Sequence, residues 1–317
     1  MLPFELKEMV LGIISGESKS VARALSLIDH NHDSDSEKLL KKIYPYGGNS
    51  RVVGVTGSTG VGKSSLIFQM AKALRKRNKT VGILSIDPTS RATKGSFLGD
   101  RVRMQELALD SGVFIRSIAG GLDSAGSLSR KIFSFLHILE ASGKHFIFVE
   151  TMGSGQDDCL VSKVTQTTLY ATIPTLGDEI QALKAGVAEI ADILIINKSD
   201  DPNRDKAVAW WKNIFAMDEK RPGAWKSPVL AANSISGDGV DAVLTAIDSH
   251  ERHMKDSGEW ERRKKEAIRE EMRLLVVEQL LKDAAEIKLS EKEVADLLER
   301  KAAPLDCIGK LLRHRRR

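Results

Sequence analysis

The chain has 317 residues, of which 42% are hydrophobic and 29% charged, and its formal net charge is +5. This length suffices for one large α/β domain with flanking helices, and the composition is that of an ordinary globular protein. The two cysteines, Cys159 and Cys307, form neither a CxxC pair nor a Cys/His cluster, which argues against a disulfide framework and a structural zinc site. The amino-terminal segment has no apolar run of membrane-spanning length and contains acidic residues. We therefore expect a cytoplasmic protein without a membrane or nucleic-acid partner.

Residues 3–43 have the spacing of apolar side chains that predicts helices, and Tyr44–Ser50 is a linker by its Pro and Gly content. From residue 51 to residue 247, short and continuously apolar runs alternate with helical patterns. This alternation predicts an α/β fold with a doubly wound, mostly parallel sheet covered by helices on both faces. The predicted strands are Val52–Thr56, Val81–Ile86, Phe114–Ser117, Phe146–Glu150, Leu169–Ile173, Ile193–Asn197 and Val229–Ala232.

The carboxy-terminal region from residue 250 onward is charged and helical. Ser290 and Glu293 have the spacing of a capping box, so we predict that a helix begins there and buries Val294, Leu297 and Leu298. A longer amphipathic helix precedes it, with Ile268, Met272, Leu275, Val276 and Leu280 on one face. This region either packs on its own core or forms a dimerisation arm. The predicted regions are 1–48, 49–249 and 250–317.

The strongest motif is Gly57–Ser64, which matches GxxxxGK[ST] between a predicted strand and a predicted helix. Its glycines allow successive backbone N–H groups to face phosphate oxygens, and the following helix adds its positive dipole end. Lys63 is suited to neutralise the β- and γ-phosphates, and the Ser64 hydroxyl to ligate Mg²⁺. The expected phosphate-binding residues are Gly57, Ser58, Thr59, Gly60, Val61, Gly62, Lys63, Ser64 and Ser65.

Acidic residues follow at positions where phosphoryl transfer needs carboxylates near a metal ion. Asp87 and Glu150 end two predicted strands, and the carboxyl ends of parallel strands face the ligand crevice. Asp100 is a further acidic position on the chain between them. Glu150–Gly153 has the form ExxG, whose glycine can sense a γ-phosphate, so Ser154–Asp158 is a plausible nucleotide-dependent switch.

The base-recognition signal is Asn197-Lys198-Ser199-Asp200, an NKxD sequence at the end of an apolar strand. The Asp200 carboxylate can accept two hydrogen bonds from the N1–H and amine groups of guanine, which adenine does not offer. Asn197 is expected to support the loop, and the Lys198 stem to cover the base. The later loop with Asn233, Ser234 and Ile235 lies where a backbone contact to guanine O6 is expected.

With these residues, the chain resembles the MeaB/ArgK/MMAA family of GTPases, which belongs to the SIMIBI class of P-loop proteins. The resemblance spans nearly the whole chain. Its markers include Ser20–Ile28, Val55–Ser64, Asp87–Ser90, Leu98–Met104, Val149–Gln156 and the specific block Gly177–Asp192.

The resemblance implies a G-protein chaperone for an adenosylcobalamin-dependent acyl-CoA mutase, typically methylmalonyl-CoA mutase, that gates cobalamin delivery and protects the mutase. It also implies a homodimer, GTP/GDP as the bound nucleotide, and a mobile partner-facing switch around Gly177–Gly186. By similarity, Ser64, Asp87, Asp100 and Glu150 form the magnesium site, and Lys63, Glu150 and Asp87 serve hydrolysis. The family's Gly-Gln-Ser-Glu is replaced here by Gly155-Gln156-Asp157-Asp158, which bears on coupling to the partner.

Two alternatives stay open at this point. A nickel-insertion GTPase of the hydrogenase or urease maturation type shares the structural class, but such proteins usually carry Cys/His motifs suited to nickel. The second alternative is an interaction protein that senses nucleotide without significant turnover. The intact Lys63, Ser64, Glu150 and Asp200 argue against a degenerate site.

Overall fold

The computed structural model describes residues 3–30, 34–88, 106–120, 127–151, 161–174, 186–217, 223–285 and 289–305. The chain divides into two compact units, Met1–Glu271 and Met272–Arg317. The three-region division at residues 48 and 249 stays a prediction.

Three helices precede the sheet, as their apolar spacing predicts: α1 (Pro3–Ile14), α2 (Ser18–His30) and α3 (Ser34–Ile43). They pack on one another and on α5 (Ser127–Ala141). Leu25, Ile28 and Leu39 are fully buried, because helical periodicity places them on the inner faces. The predicted linker begins with the 3₁₀ turn Tyr44–Tyr46.

Within the described residues, seven strands form one parallel sheet in the order β3-β2-β4-β1-β5-β6-β7. All seven predicted strands are confirmed, with ends shifted by a few residues. Every residue of β4 and β5 is buried, as expected for strands covered on both faces. The strands are β1 (Arg51–Thr56), β2 (Val81–Pro88), β3 (Val113–Gly120), β4 (Phe146–Glu150), β5 (Thr167–Thr172), β6 (Ile193–Ile196) and β7 (Val229–Ala231).

Helices cover the sheet on opposite faces. On one face, α4 (Lys63–Lys76) and α8 (Val240–Ser257) share a buried apolar cluster with β1 and β4, which includes Val55 and Phe148. Neighbouring residues of a strand point to opposite faces. On the other face, a Cβ on Gly82 of β2 would lie 3.0 Å from Leu139 of α5, so that helix packs closely there.

The second half of the sheet carries α6 (Val187–Ile190) and α7 (Arg204–Met217). Trp211 of α7 is buried in a cluster with Tyr170, Leu194 and Ile196. Helix α8 ends at Gly258, whose φ of +77° is the left-handed conformation common at helix ends. Helix α9 (Glu259–Ala285) begins with the next residue.

In the carboxy-terminal unit, α10 (Glu291–Leu298) begins at the predicted capping box. The Glu293 carboxylate accepts the backbone N–H of Ser290 at 2.8 Å, and the Ser290 hydroxyl accepts the backbone N–H of Glu293 at 3.3 Å. The prediction that α10 buries its apolar residues is wrong, since Val294 is 37% and Leu298 79% exposed. An eight-residue helix buries a face only by packing against another element. The described residues of this unit do not cover the apolar face of α10.

Candidate nucleotide-binding site

The loop Gly57–Gly62 connects β1 to α4 and turns sharply at two glycines. Gly57 has a φ of +131°, and a Cβ there would lie 2.0 Å from the carbonyl oxygen of Ala171 on β5. Gly62 has a φ of +95°, and its Cβ would lie 2.4 Å from Nδ2 of Asn197. Side chains at these positions would collide with the backbone of β5 and with Asn197, so the loop's path depends on both glycines.

Lys63 is the first residue of α4 and is buried. Its Nζ donates hydrogen bonds to the carbonyl oxygens of Gly57 at 2.6 Å and Ser58 at 2.9 Å. A buried ammonium group requires acceptors, and the loop supplies these two. The charge therefore lies against the loop at the amino terminus of α4, where backbone N–H groups and the helix dipole favour an anion.

Glu150 ends β4 and lies in contact with the start of α4. Its Oε1 accepts a hydrogen bond from the Ser64 hydroxyl at 2.5 Å, and its Oε2 accepts one from the Ser85 hydroxyl at 3.1 Å. The strand register pairs Glu150 with Val55 on one side and with Ser85 on the other. Sequence analysis missed Ser85, although a serine near the end of a continuously apolar strand was a visible signal.

The chemistry of this pair fits Mg²⁺, which prefers hydroxyl and carboxylate oxygens. The Ser64 hydroxyl and the Glu150 carboxylate are already within hydrogen-bonding distance of one another. Asp87 lies in β2 two residues after Ser85, but its side chain, like the whole of Asp100, lies outside the described residues. Among the residues that the structure describes, no group of three or more His, Cys, Asp and Glu side chains could hold a metal ion.

A buried pair of threonines joins β1 to the residue after Glu150. Thr151 donates its hydroxyl hydrogen to the Thr56 hydroxyl at 2.9 Å, and both side chains are essentially inaccessible to solvent. The Thr151 backbone N–H also donates to the carbonyl of Val55 at 3.1 Å. The residue before the phosphate loop is thus linked directly to the start of the ExxG sequence. Of the predicted switches, residues 154–158 and 177–186, only Gly186 lies within the described residues.

Asn197, the first residue of the NKxD sequence, forms a hydrogen bond with the phosphate loop. Its Nδ2 donates to the carbonyl of Val61 at 2.6 Å and to the Ser234 hydroxyl at 3.0 Å, while its Oδ1 accepts the Ser234 backbone N–H at 3.0 Å. Asn197 is completely buried. One side chain therefore joins the phosphate loop to the loop that follows β7.

Asp200 and Asn233 are also brought together. Nδ2 of Asn233 donates to Oδ1 of Asp200 at 2.8 Å, and Oδ1 of Asn233 accepts the backbone N–H groups of Ile235 at 2.8 Å and Ser236 at 3.1 Å. Lys198 is exposed with a φ of +55°, and Ile235 is 79% exposed. Gln69 of α4, which sequence analysis missed, donates to the carbonyls of Ser234 and Ile235 at 3.4 and 3.0 Å.

Comparison with known families decides the class of this site. The family model described as "Methylmalonyl Co-A mutase-associated GTPase MeaB" matches residues 21–288. The chain belongs to the MeaB family. Like other MeaB-family proteins, it is a GTPase that binds guanine nucleotide.

Individual MeaB relatives match over most of the chain. A protein of Pyrococcus horikoshii is 36% identical over 292 residues, which cover 91% of this chain and 90% of the relative. GTPase ArgK of Escherichia coli is 30% identical, with 87% of this chain and 85% of the relative covered. The "Methylmalonic aciduria type A homolog, mitochondrial" of Caenorhabditis briggsae is 32% identical, with 84% and 69% covered.

The crystal structure of a LAO/AO transport system kinase has a TM-score of 0.75 to this MeaB-family chain at 23% identity. The match covers 100% of this chain and 99% of the other. It confirms the predicted α/β fold, a parallel sheet covered by helices with further helices at both termini. No helix in the described part of the chain is long and apolar enough to span a bilayer.

Proposed function

We propose that this MeaB-family GTPase is a G-protein chaperone for an adenosylcobalamin-dependent acyl-CoA mutase such as methylmalonyl-CoA mutase, gating cofactor delivery and protecting the mutase. The family match over residues 21–288 carries the proposal, because the family description names association with that mutase. The Caenorhabditis briggsae relative, named for methylmalonic aciduria, supports it. The cytoplasmic location expected from the sequence stays a prediction.

In this proposal, the phosphate chain of GTP binds along the loop Gly57–Ser65. Lys63 turns from the carbonyls of Gly57 and Ser58 to phosphate oxygens. This exchange is favourable because hydrogen bonds between charged partners are stronger than those to neutral carbonyls. The backbone N–H groups at the start of α4 bind the same anion. The proposed phosphate-binding residues are Gly57, Ser58, Thr59, Gly60, Val61, Gly62, Lys63, Ser64 and Ser65.

The acidic residues and Ser64 form the proposed hydrolysis site. Ser64, Asp87, Asp100 and Glu150 would hold Mg²⁺, which neutralises negative charge on the phosphate oxygens when it is bound. A serine hydroxyl has one donor and two lone pairs. Ser64 can therefore keep donating its hydrogen bond to Glu150 at 2.5 Å while its oxygen is available to a cation.

The proposed guanine pocket uses the carboxylate of Asp200 for the N1–H and the exocyclic amine of the base. Asn233 holds Asp200 through one oxygen at 2.8 Å, which orients the carboxylate before the nucleotide binds. Asn197 braces the two loops, and Lys198 covers one face of the base. The segment Asn233–Ile235 lies next to O6.

The partner surfaces include a homodimer contact and two switches. In the carboxy-terminal unit, α9 exposes Met272, Leu275, Val276 and Leu280 by 55, 42, 52 and 62%. An apolar stripe of this extent on one helix suits a second copy of the chain. We assign the nucleotide-dependent contact with the mutase to residues 154–158 and 177–186.

The experiment is a binding and turnover assay with the purified mutase. We expect sedimentation velocity to detect a complex whose affinity differs between a non-hydrolysable GTP analogue and GDP. Phosphate release should rise by at least about tenfold when the mutase is added, because GTPases commonly need a partner to complete the site. If no complex forms with either the GTP analogue or GDP, the chaperone role is contradicted.

A matched pair of variants tests the site separately. Lys63→Ala should abolish phosphate release, because it removes the cation that faces the phosphates. Lys72→Ala removes an exposed lysine of the same helix, which pairs with Glu106 at 3.1 Å, and should leave turnover unchanged. Wild-type turnover in Lys63→Ala would contradict the phosphate-loop assignment without touching the partner proposal.

A further inference from the structure

Ser85 is a polar residue on the sheet face that packs against α4. Ile83 and Val81, two and four residues earlier on β2, are buried in the cluster formed with that helix. Because side chains alternate along a strand, Ser85 continues their row toward the carboxyl end of the sheet. On the neighbouring strand, Phe146 and Phe148 form the corresponding row, which ends at Glu150.

Ser85 and Glu150 are direct partners in the parallel register of β2 and β4. The Ser85 hydroxyl donates to Oε2 of Glu150 at 3.1 Å, while the Ser64 hydroxyl donates to Oε1 at 2.5 Å. The two oxygens of one carboxylate are therefore engaged by two different elements. Ser64 belongs to the start of α4, and Ser85 belongs to a strand paired on both sides, with β3 and β4.

The geometry points to Ser85 as a positioning residue for the GTPase reaction. It fixes the plane of the Glu150 carboxylate from the strand side, so that Oε1 accepts the hydrogen bond of the Ser64 hydroxyl and the lone pairs of the Ser64 oxygen would be available to Mg²⁺. This inference rests on the proposed function, which assigns Ser64 and Glu150 to the magnesium site. A hydrogen bond to a charged acceptor is strong enough to select one orientation of that carboxylate.

A purely structural role for Ser85 would change stability alone. A positioning role predicts an additional change in how the nucleotide complex depends on Mg²⁺, because a misoriented carboxylate weakens the metal site without altering the phosphate loop or the guanine pocket. Nucleotide affinity in the presence of EDTA should be unchanged, since it depends on those other two parts. These two readouts separate the roles.

The experiment measures the affinity of full-length protein for a fluorescent GTP analogue at increasing Mg²⁺ concentration and in EDTA, with kcat alongside. We expect Ser85→Ala to raise the Mg²⁺ concentration for half-maximal tightening by about tenfold and to lower kcat, with EDTA affinity equal to that of the wild type. Ser85→Thr, which keeps the hydroxyl, should restore both values. Ser50→Ala is the matched control, because Ser50 is a buried serine at the other edge of the sheet that donates to the Lys144 carbonyl at 2.5 Å.

Wild-type Mg²⁺ dependence in Ser85→Ala would overturn the inference, and so would failure of Ser85→Thr to recover it. If Ser85→Ala does not fold, Ser85→Cys, which keeps the volume but donates weakly, gives the same comparison. If the nucleotide affinity of the wild-type protein does not depend on Mg²⁺, that result would instead contradict the proposed magnesium site.

Discussion

The guanidinium group of Arg263 donates two hydrogen bonds of 2.7 Å each to the carboxylate of Asp192. Asp192 directly precedes β6 and also accepts the backbone N–H of Thr168 at 2.8 Å. His250 of α8 lies 3.3 Å from the same carboxylate. Asp192 closes the block Gly177–Asp192 that marks the family in the sequence. Within this block, Asp192 therefore joins β5, α8 and α9 at the amino-terminal edge of the sheet, away from the candidate nucleotide site.

Replacing Asp192 by Asn should lower the free energy of unfolding by roughly 3 kcal/mol at pH 7, because the largely buried Arg263 loses the carboxylate that accepts two of its hydrogen bonds and keeps, among the described residues, only Glu259, at 3.3 Å, as a counter-charge. Urea unfolding measures this change. Asp205→Asn removes the exposed partner of Arg204 and should have no measurable effect. Equal stability of the Asp192 and Asp205 variants would show that the network contributes nothing.

The pair of Asp192 and Arg263 also predicts that the stability of the fold depends on pH. Burial alone would raise the pKa of Asp192, but the hydrogen bonds and charges of His250 and Arg263 lower it below the usual range. A lowered pKa gives stabilisation that is present above the unfolded value of about 3.9 and is lost as the pH falls. The stability difference between wild type and Asp192→Asn should therefore shrink below about pH 4, and a constant difference would contradict this origin.

His137 should stabilise the fold in the opposite pH range. Burial by itself lowers the pKa of His137, but hydrogen bonds and charges from Glu140 and Glu271 raise it to about 9. A raised pKa gives stabilisation that is complete below about pH 6.5 and is lost as the pH rises through 9. His137→Gln should cost on the order of 3 kcal/mol at pH 6 and much less at pH 10, as measured by urea unfolding.

The control for that prediction is His145→Gln. The pKa of His145 is lowered, first by burial and then by the charges of Lys79 and Arg75. If His145→Gln lowers the free energy of unfolding, that loss should therefore not become smaller between pH 6 and pH 10. If His137→Gln lowers the free energy of unfolding equally at pH 6 and pH 10, a charged imidazole is not the source of the stabilisation.

Asp200→Asn should weaken GTP binding by at least about tenfold and shift the preference toward xanthosine triphosphate, because the amide no longer matches the guanine donors. Competition against a fluorescent guanine nucleotide measures both effects. Asp201→Asn changes the neighbouring acid, which accepts the Asn203 backbone N–H at 2.8 Å, and should keep guanine preference. A guanine-selective Asp200→Asn protein would remove Asp200 from the base pocket.

Two glycines of the phosphate loop should differ in their tolerance of alanine. Gly57 and Gly60 both have positive φ values, +131° and +81°, but a Cβ on Gly57 would lie 2.0 Å from a backbone oxygen, whereas a Cβ on Gly60 meets no atom within 4 Å. Gly57→Ala should therefore abolish nucleotide binding, and Gly60→Ala should reduce it only through backbone strain. Isothermal titration with GDP distinguishes the two. Equal affinities would contradict the described path of the loop.

The sequence alone determined the strands of the sheet and the motifs of the candidate site. The seven strands were predicted from short runs that are mostly continuously apolar, because a strand covered on both faces is expected to be apolar throughout. Gly57–Ser64 and Asn197–Asp200 were recognisable because each motif concentrates its function in a few adjacent residues at a strand end. The capping box at Ser290 was equally local, and it begins the helix as predicted.

Only the tertiary structure decided which distant residues meet. The strand order places β4 between β1 and β2, and this puts Ser85 opposite Glu150 and Thr151 against Thr56. The contacts of Asp192 with Arg263 and of Asn233 with Asp200 arise in the same way. Such pairs depend on strand order, register and helix packing, which join residues far apart in the chain and therefore leave no periodic signal in the sequence.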